Sequence, residues 1–362
     1  MSDRSAPEGA SVTEAVIDVC VIFGGQSSEH SISCLSAASV LAAIDRSKYR
    51  VQAIGITRGG KWYRVSDDAA DWARTGTVLP AVNPTSEPVV LESVAADVVF
   101  PVLHGPFGED GTIQGALELL GLPYVGSGVL ASALTMDKQA TKLMLSAAGL
   151  PVGRCVAVSD ADWMAHRDRV LAQIRELALP VFVKPARAGS SVGITKVKAF
   201  EDLDAAIEVA REQDRKVVVE ESVEGAREIE CGVLAGLGYD SPRSSVCAEI
   251  EVSAAHEFYD FAAKYLDDSA SLTVPADISD SLQKELGDLA VRAFSALGAD
   301  GLARVDFFVS PEGSIVINEV NTMPGFTSIS MFPRMWQASG MTYPEIIDHL
   351  IAVALDRGAG MR

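Results

Sequence analysis

Residues 301–326, GLARVDFFVSPEGSIVINEVNTMPGF, decide how the rest of the chain is read. Arg304 to Val309 alternates polar with apolar residues, Ser310-Pro311-Glu312-Gly313 has turn chemistry with proline in second place, and Ser314 to Val320 alternates again. The pattern predicts a β-hairpin. With two residues joining the strands, Asp306 lies opposite Ile317, and Glu319 is its diagonal neighbour on the same face, about 7–8 Å away. Asn321 and Arg304 share that face by the strand's period of two. A three-residue loop with a bulge at Gly313 shifts the register and presents Asn318 instead. Two carboxylates, an amide oxygen and a guanidinium suit a hard divalent cation carrying phosphate oxygens. They also suit an ion pair on a solvated sheet face.

Working outward, 362 residues with 48% hydrophobic content allow two to three domains with real cores. No run approaches the roughly 20 apolar residues of a membrane span, and the polar start MSDRSAPEGA lacks the apolar core of a signal peptide. A cytoplasmic protein is expected. Cys20, Cys34, Cys155, Cys231 and Cys247 are odd in number and widely spaced, and read as buried hydrophobes in a reducing compartment. A formal net charge of −19 argues against a nucleic-acid partner. An anionic substrate then requires a pocket made locally positive against the global field.

From the N-terminus, Ala15 to Phe23 reads as a strand that stops at Gly24-Gly25, and Ser33 to Ile44 as a helix. Between them GGQSSEHSIS departs from the dinucleotide fingerprint and carries Glu29, whose carboxylate repels phosphate and suits an ammonium group; a surface charge near a helix start is the plainer reading. Strands at Val51–Thr57 and Asp97–Leu103, the latter followed by HGPFGEDG and a helix from Thr112 to Leu120, predict an open parallel α/β sheet over the first 130 or so residues. His104 is as well suited to ordering a loop as to catalysis. A helix opened by Met136 runs to Ala148, where Gly149 and Pro151 stop it. Leu179 to Pro185 is a strand delivering Lys184 into ARAGSSVG, residues 186–193, a loop whose amides and hydroxyls can cover phosphates alongside Lys138. The strand KVVVEE, residues 216–221, breaks into a segment that can read a flat base, with Glu228 placed to accept ribose hydroxyls. Residues 253–275 are too long for a tight connection. Asp277–Leu297 and Tyr343–Ala354 have helical patterning.

Together HGPFGEDGTIQG, GSGVLASALTMDK, VFVKPARAGSSVG, FYDFAAKY, and RVDFF with INEVNTMPGFTSIS closely resemble the D-alanine–D-alanine ligases of the ATP-grasp superfamily, over about Val16 to Ile351. The resemblance implies a polar tail (residues 1–15), an N-terminal α/β domain (16–137), a central ATP-grasp subdomain (138–226) and a C-terminal one (227–362) with a lid at 253–275. It implies ATP and two Mg²⁺ (or Mn²⁺) held by Asp306, Glu319 and Asn321, with Glu319 shared. Lys138 and Lys184 would contact the ATP phosphates under Ser190 and Ser191, and Glu220, Val223 and Glu228 would hold adenine and ribose. The activity implied is ligation of two D-alanines through an acyl phosphate, for peptidoglycan precursor synthesis. Glu29, Ser190 and Tyr265 would bind the first D-alanine, and Arg304 with the Gly325 N–H would form an oxyanion hole. Lys264, Ser330 and Met331 would serve phosphate and the second carboxylate. A homodimer is expected. Ligation to D-lactate or D-serine, or a catalytically silent ATP-binding regulator, are the competing readings; the adjacent Lys264-Tyr265 favours the dipeptide.

Overall fold

The computed structural model describes residues 16–84, 88–252 and 270–360, arranged as three sheets with helices on their faces. The first sheet has the order β3-β2-β1-β4, with β1 Ile17–Gly24, β2 Tyr49–Ile56, β3 Trp62–Val65 and β4 Val98–Val102. β1 pairs in parallel with both β2 and β4. Val19, Val21 and Phe23 enter one core while Cys20 and Ile22 enter another. Burial on both faces is why this strand reads as an unbroken apolar run. Helix α1, His30–Ala43, starts three residues earlier than its spacing predicts, and α2 spans Thr112–Leu119. The sheet departs from the expected all-parallel form at its edge, where β3 is antiparallel to β2.

Helices α3, Val129–Met136, and α4, Lys138–Ala147, lead to the second sheet; Asp137 caps α4 through the Ala140 N–H. This sheet has the order β5-β8-β6-β7, with β5 Cys155–Ser159, β6 Val181–Pro185, β7 Thr195–Val197 and β8 Lys216–Glu221, all antiparallel. Helices α5 (Asp160–Ala165), α6 (Arg167–Ile174) and α7 (Leu203–Arg211) follow the chain between these strands. Val181, Val183, Val217 and Val219 pack with residues of α6 and α7. Strand alternation then turns Phe182, Lys184 and Glu220 to the opposite face, which borders the cleft.

The third sheet, β11-β10-β9-β12-β13, comprises β9 Arg227–Leu234, β10 Arg243–Val252, β11 Ala270–Thr273, β12 Leu302–Val309 and β13 Ile315–Asn321. Of the segment read as a loop over 253–275, residues 270–273 are this edge strand, paired with β10. Helix α8, Asp280–Ala296, covers one face with Leu286, Leu289 and Ala293 against Ile229, Val305 and Phe307. The other face carries the polar residues of the cleft. Two last helices, α9 Met331–Ala338 and α10 Tyr343–Arg357, do not stay with this sheet: Phe332, Ile347, Leu350 and Ile351 share a core with Val21, Phe23 and Phe100 of the first. Phe326 lies at the junction, its ring 5.9 Å from Phe100 and 5.4 Å from Tyr343. Among the described residues no helix is long and apolar enough to cross a membrane.

Candidate active site

The hairpin closes through a longer turn than two residues. Ser310 N–H donates to the Ser314 carbonyl, Gly313 takes φ +85°, and Phe307 pairs with Ile317. This is the register-shifting loop. A second irregularity then intervenes: Asn318 bulges out of β13, so that Asp306 pairs directly with Glu319 and Arg304 with Asn321. The expected diagonal relation is thus replaced by a direct cross-strand one, about 4.5–5.5 Å between Cβ atoms. Asn318 also faces the cleft. Two turn-level shifts, neither visible as a break in the alternation, restore the juxtaposition that the carboxylates need.

Strand β9 adds a third carboxylate to the row, since Glu230 pairs with Asp306 from the other side. Arg304 lies among them. Its Nε donates to Asp306 Oδ1 at 2.7 Å and lies 3.1 Å from Glu230 Oε1, and its Nη2 donates to Asp306 Oδ2 at 2.7 Å. Asn321 Nδ2 donates to the same Asp306 oxygen at 3.1 Å. Burial alone would lower the guanidinium's proton affinity, but Asp306 and Glu230 hold it well above the usual arginine range. Asp306 is 2% exposed and sits behind Arg304, whereas Glu319 and Asn321 reach the cleft wall.

Facing them across the cleft are the ammonium groups. Lys184 Nζ donates to Glu220 Oε2 at 2.9 Å, and Lys142, one helical turn beyond Lys138 on α4, lies 3.5 Å from the other Glu220 oxygen. Burial opposes the charge on Lys184, and Glu220, with Glu319 and Glu228 further off, more than reverses this. Glu220 is likewise pushed up by burial and pulled below the ordinary carboxylate range by Lys184 and Lys142. Lys138 Nζ donates to the Ala188 carbonyl at 2.8 Å, tying the helix start to the serine loop. In that loop Ser190 and Ser191 take φ of +50° and +58°, a left-handed backbone that costs non-glycine residues roughly 1–3 kcal/mol each.

The loop turns Ser190 onto Glu29, its Oγ donating to Oε1 at 2.5 Å. Glu29 is 7% exposed and wedged between glycines: a Cβ on Gly105 would stand 2.5 Å, and one on Gly189 2.8 Å, from its Oε2. His104 is a loop-ordering residue here. Its Nδ1 lies 2.9 Å from the Met323 carbonyl and its Nε2 2.9 Å from Ser36 Oγ, and burial holds its pKa below the usual histidine value. Glu109 grips the same strand exit, accepting from Met323 N–H at 3.1 Å and Gly105 N–H at 2.7 Å. Burial, reinforced by the charge of Glu29, lifts its carboxyl to about 8. Two residues on, Gly325 lies beside Ser330, whose Oγ accepts from Thr327 N–H at 3.1 Å.

These groups line one cleft of about 1590 Å³, which brings together Glu29, Lys138, Lys184, Ser190, Ser191, Glu220, Val223, Glu228, Arg304, Glu319, Asn321, Gly325, Ser330 and Met331. Asp306 stands behind that wall, and Lys264 and Tyr265 lie outside the described residues. Sequence reasoning missed Lys142, Glu109 and Glu230. Lys142 carried a signal in its four-residue spacing from Lys138, and Glu230 in its two-residue spacing from Glu228. Glu109 carried none, because its partner Met323 lies 214 positions away.

Comparisons with known proteins place the whole chain. Family profiles described as "D-ala D-ala ligase N-terminus" and "D-ala D-ala ligase C-terminus" match residues 18–127 and 144–352. A D-alanine–D-alanine ligase of Pseudarthrobacter chlorophenolicus is 51% identical over 383 aligned positions, covering 100% of both chains. One from Nocardia farcinica is 50% identical, covering 96% of this chain and 99% of its own. Among solved structures, VanG D-Ala:D-Ser ligase from Enterococcus faecalis superposes with a TM-score of 0.81 at 39% identity, covering 94% of this chain and 100% of its own. The D-alanine–D-alanine ligase from Coxiella burnetii gives 0.78 at 36%, covering 94% of each. On fold, sequence and the residues gathered in the cleft, the chain belongs to the D-alanine–D-alanine ligase family.

Proposed function

We propose that this protein joins two D-alanines in an ATP-dependent reaction, forming the dipeptide used for peptidoglycan precursors. The observation that carries the reading is the cleft itself. Carboxylate and amide oxygens lie on one wall and lysines on the other, beside an amine-binding carboxylate held by the serine loop. Its chemistry follows from the substrates. A carboxylate is a poor acyl donor, so the first D-alanine is activated by the terminal phosphoryl group of ATP, and the amine of the second displaces phosphate. Glu29, fixed by Ser190, holds the first ammonium. Lys138 and Lys184 balance phosphate charge under Ser190 and Ser191, and Glu220, Val223 and Glu228 border the nucleoside end. Arg304 and the Gly325 N–H stabilise the oxyanion of the tetrahedral intermediate. Ser330 and Met331 border the second carboxylate; the substrate roles expected of Lys264 and Tyr265 fall outside the described residues.

The hard oxygen donors Asp306, Glu319 and Asn321, brought side by side by the Asn318 bulge, would hold two Mg²⁺ (or Mn²⁺). Such ions supply charge neutralisation for in-line phosphoryl transfer. The units follow the three sheets, as 16–137, 138–226 and 227–362, with α10 returning to the first. The protein acts in the cytoplasm as a homodimer; the lid expected at 253–275 lies, over residues 253–269, outside the described residues.

A D-serine-adding variant draws support from the VanG structure, at 39% identity. The dipeptide reading is favoured by relatives of about 50% identity that carry the D-alanine–D-alanine ligase name. One assay separates the readings: ADP release with D-alanine alone, then with D-serine or D-lactate added, the products identified by mass. D-Alanine-dependent ADP release with dipeptide as the main product is expected. Preferential incorporation of D-serine or D-lactate, or nucleotide binding without turnover, would overturn it.

A further inference from the structure

Glu230 is 2% exposed, lies at the back of the cleft and takes no part in the chemistry outlined above. Strand pairing places it directly beside Asp306, in a row that continues to Glu319. Three carboxylates in successive strands, about 4.7–4.9 Å apart, repel one another unless cations intervene. Among the described residues Arg304 is the cation hydrogen-bonded within this row. Its Nε is shared between Asp306 and Glu230, at 2.7 and 3.1 Å, while its Nη2 goes to Asp306 alone.

That sharing sets up a competition. Arg304 is bidentate to the carboxylate that is also the rearmost candidate cation ligand. A divalent ion drawn to Asp306 and a guanidinium bound to it are like charges, so occupancy by one weakens the hold of the other. An arginine released from Asp306 and lacking a second anchor would lose its aim. We infer that Glu230 is a positioning residue: it holds the Nε edge of Arg304 so that Asp306 is free for a cation while the guanidinium tip stays on the reacting carbonyl. The inference rests on the roles proposed for Arg304 and Asp306.

The test uses the full-length protein with Glu230→Gln, which keeps the shape and one acceptor oxygen, and reads two quantities. The first needs no turnover: the Mg²⁺ concentration for half-maximal ADP binding, followed by calorimetry. With Asp306 as its remaining hydrogen-bonded carboxylate among the described residues, Arg304 competes harder, so the requirement rises at least about threefold. The second is the split between kcat and KM: kcat falls at least about tenfold, as for the loss of an outer support of a site, while KM for D-alanine moves less than about twofold. A partly unfolded variant lowers the apparent kcat but leaves the Mg²⁺ requirement of its folded fraction unchanged, so the first readout separates positioning from stability. An unchanged Mg²⁺ requirement together with native kcat overturns the inference.

The native protein gives a further reading that needs no variant of Glu230. The Arg304 Nε–H signal in ¹⁵N NMR, assigned by its loss in Arg304→Lys, is expected to stay protected from exchange when Mg²⁺ and ADP are added. Its loss to exchange would show that Glu230 does not hold it. If Arg304→Lys itself turns over at the native rate, the oxyanion role fails and takes the inference with it. If only Glu230→Gln is silent, the role of Arg304 stands and Glu230 is merely packed beside it.

Discussion

The Glu29 carboxylate is held by three distant parts of the chain: its own loop, Gly105 and the serine loop through Gly189 and Ser190. Hydrogen bonds to charged groups contribute about 1.5–3 kcal/mol, and each 1.4 kcal/mol is about a factor of ten. Ser190→Ala is therefore expected to raise the KM for D-alanine at least about tenfold in steady-state assays, with little change in melting temperature. An unaltered KM would separate Ser190 from substrate binding. The sequence alone could say that Glu29 repels phosphate and suits an amine, because that is a property of one side chain. Residue chemistry could not bring Ser190 to it, because the contact spans 161 positions and depends on two left-handed serines; that pairing came with the family resemblance.

Among elements, the hairpin shows where alternation stops being sufficient. Period-two patterning located β12 and β13 and put Arg304, Asp306, Glu319 and Asn321 on one face. Register depended on loop length and on the bulge at Asn318, and a single-residue slip reverses every facing. The closing helix illustrates the same limit differently. Its apolar stripe was legible, but its destination, the core of the first sheet, was not, since many apolar faces would accept it. Its start is well marked: Thr342 caps α10 and Glu345 returns to the Thr342 N–H at 2.7 Å in a full capping box. Thr342→Ala is expected to cost about 1 kcal/mol in urea-induced unfolding. An unchanged midpoint would mean that tertiary packing, not the cap, fixes this helix start.

At the scale of the whole molecule, a chain of net charge −19 builds a cleft walled by Lys138, Lys184 and Arg304, with Lys142 buried beside Glu220, and these cations are matched by carboxylates rather than left as a bare positive patch. The expected separation into units is offset by shared packing, with α10 and Phe326 joining the first sheet to the third and Glu109 and His104 gripping Met323 across the same seam. That seam titrates. Glu109 is raised from 4.5 to about 8, so the folded state binds a proton that the unfolded state has lost. The stabilisation is full below about pH 4.5 and disappears as pH rises through about 8. Melting temperatures between about pH 5 and about pH 9 are expected to fall more steeply for the native protein than for Glu109→Gln. Equal slopes would place the titration elsewhere. The facing sheets are proposed to meet through cations held by the hairpin carboxylates, and Mn²⁺ binding followed by electron paramagnetic resonance in the presence of ADP tests this most directly. Two Mn²⁺ per native chain and the loss of at least one in a folded Glu319→Gln are expected; the same stoichiometry in both proteins would contradict it.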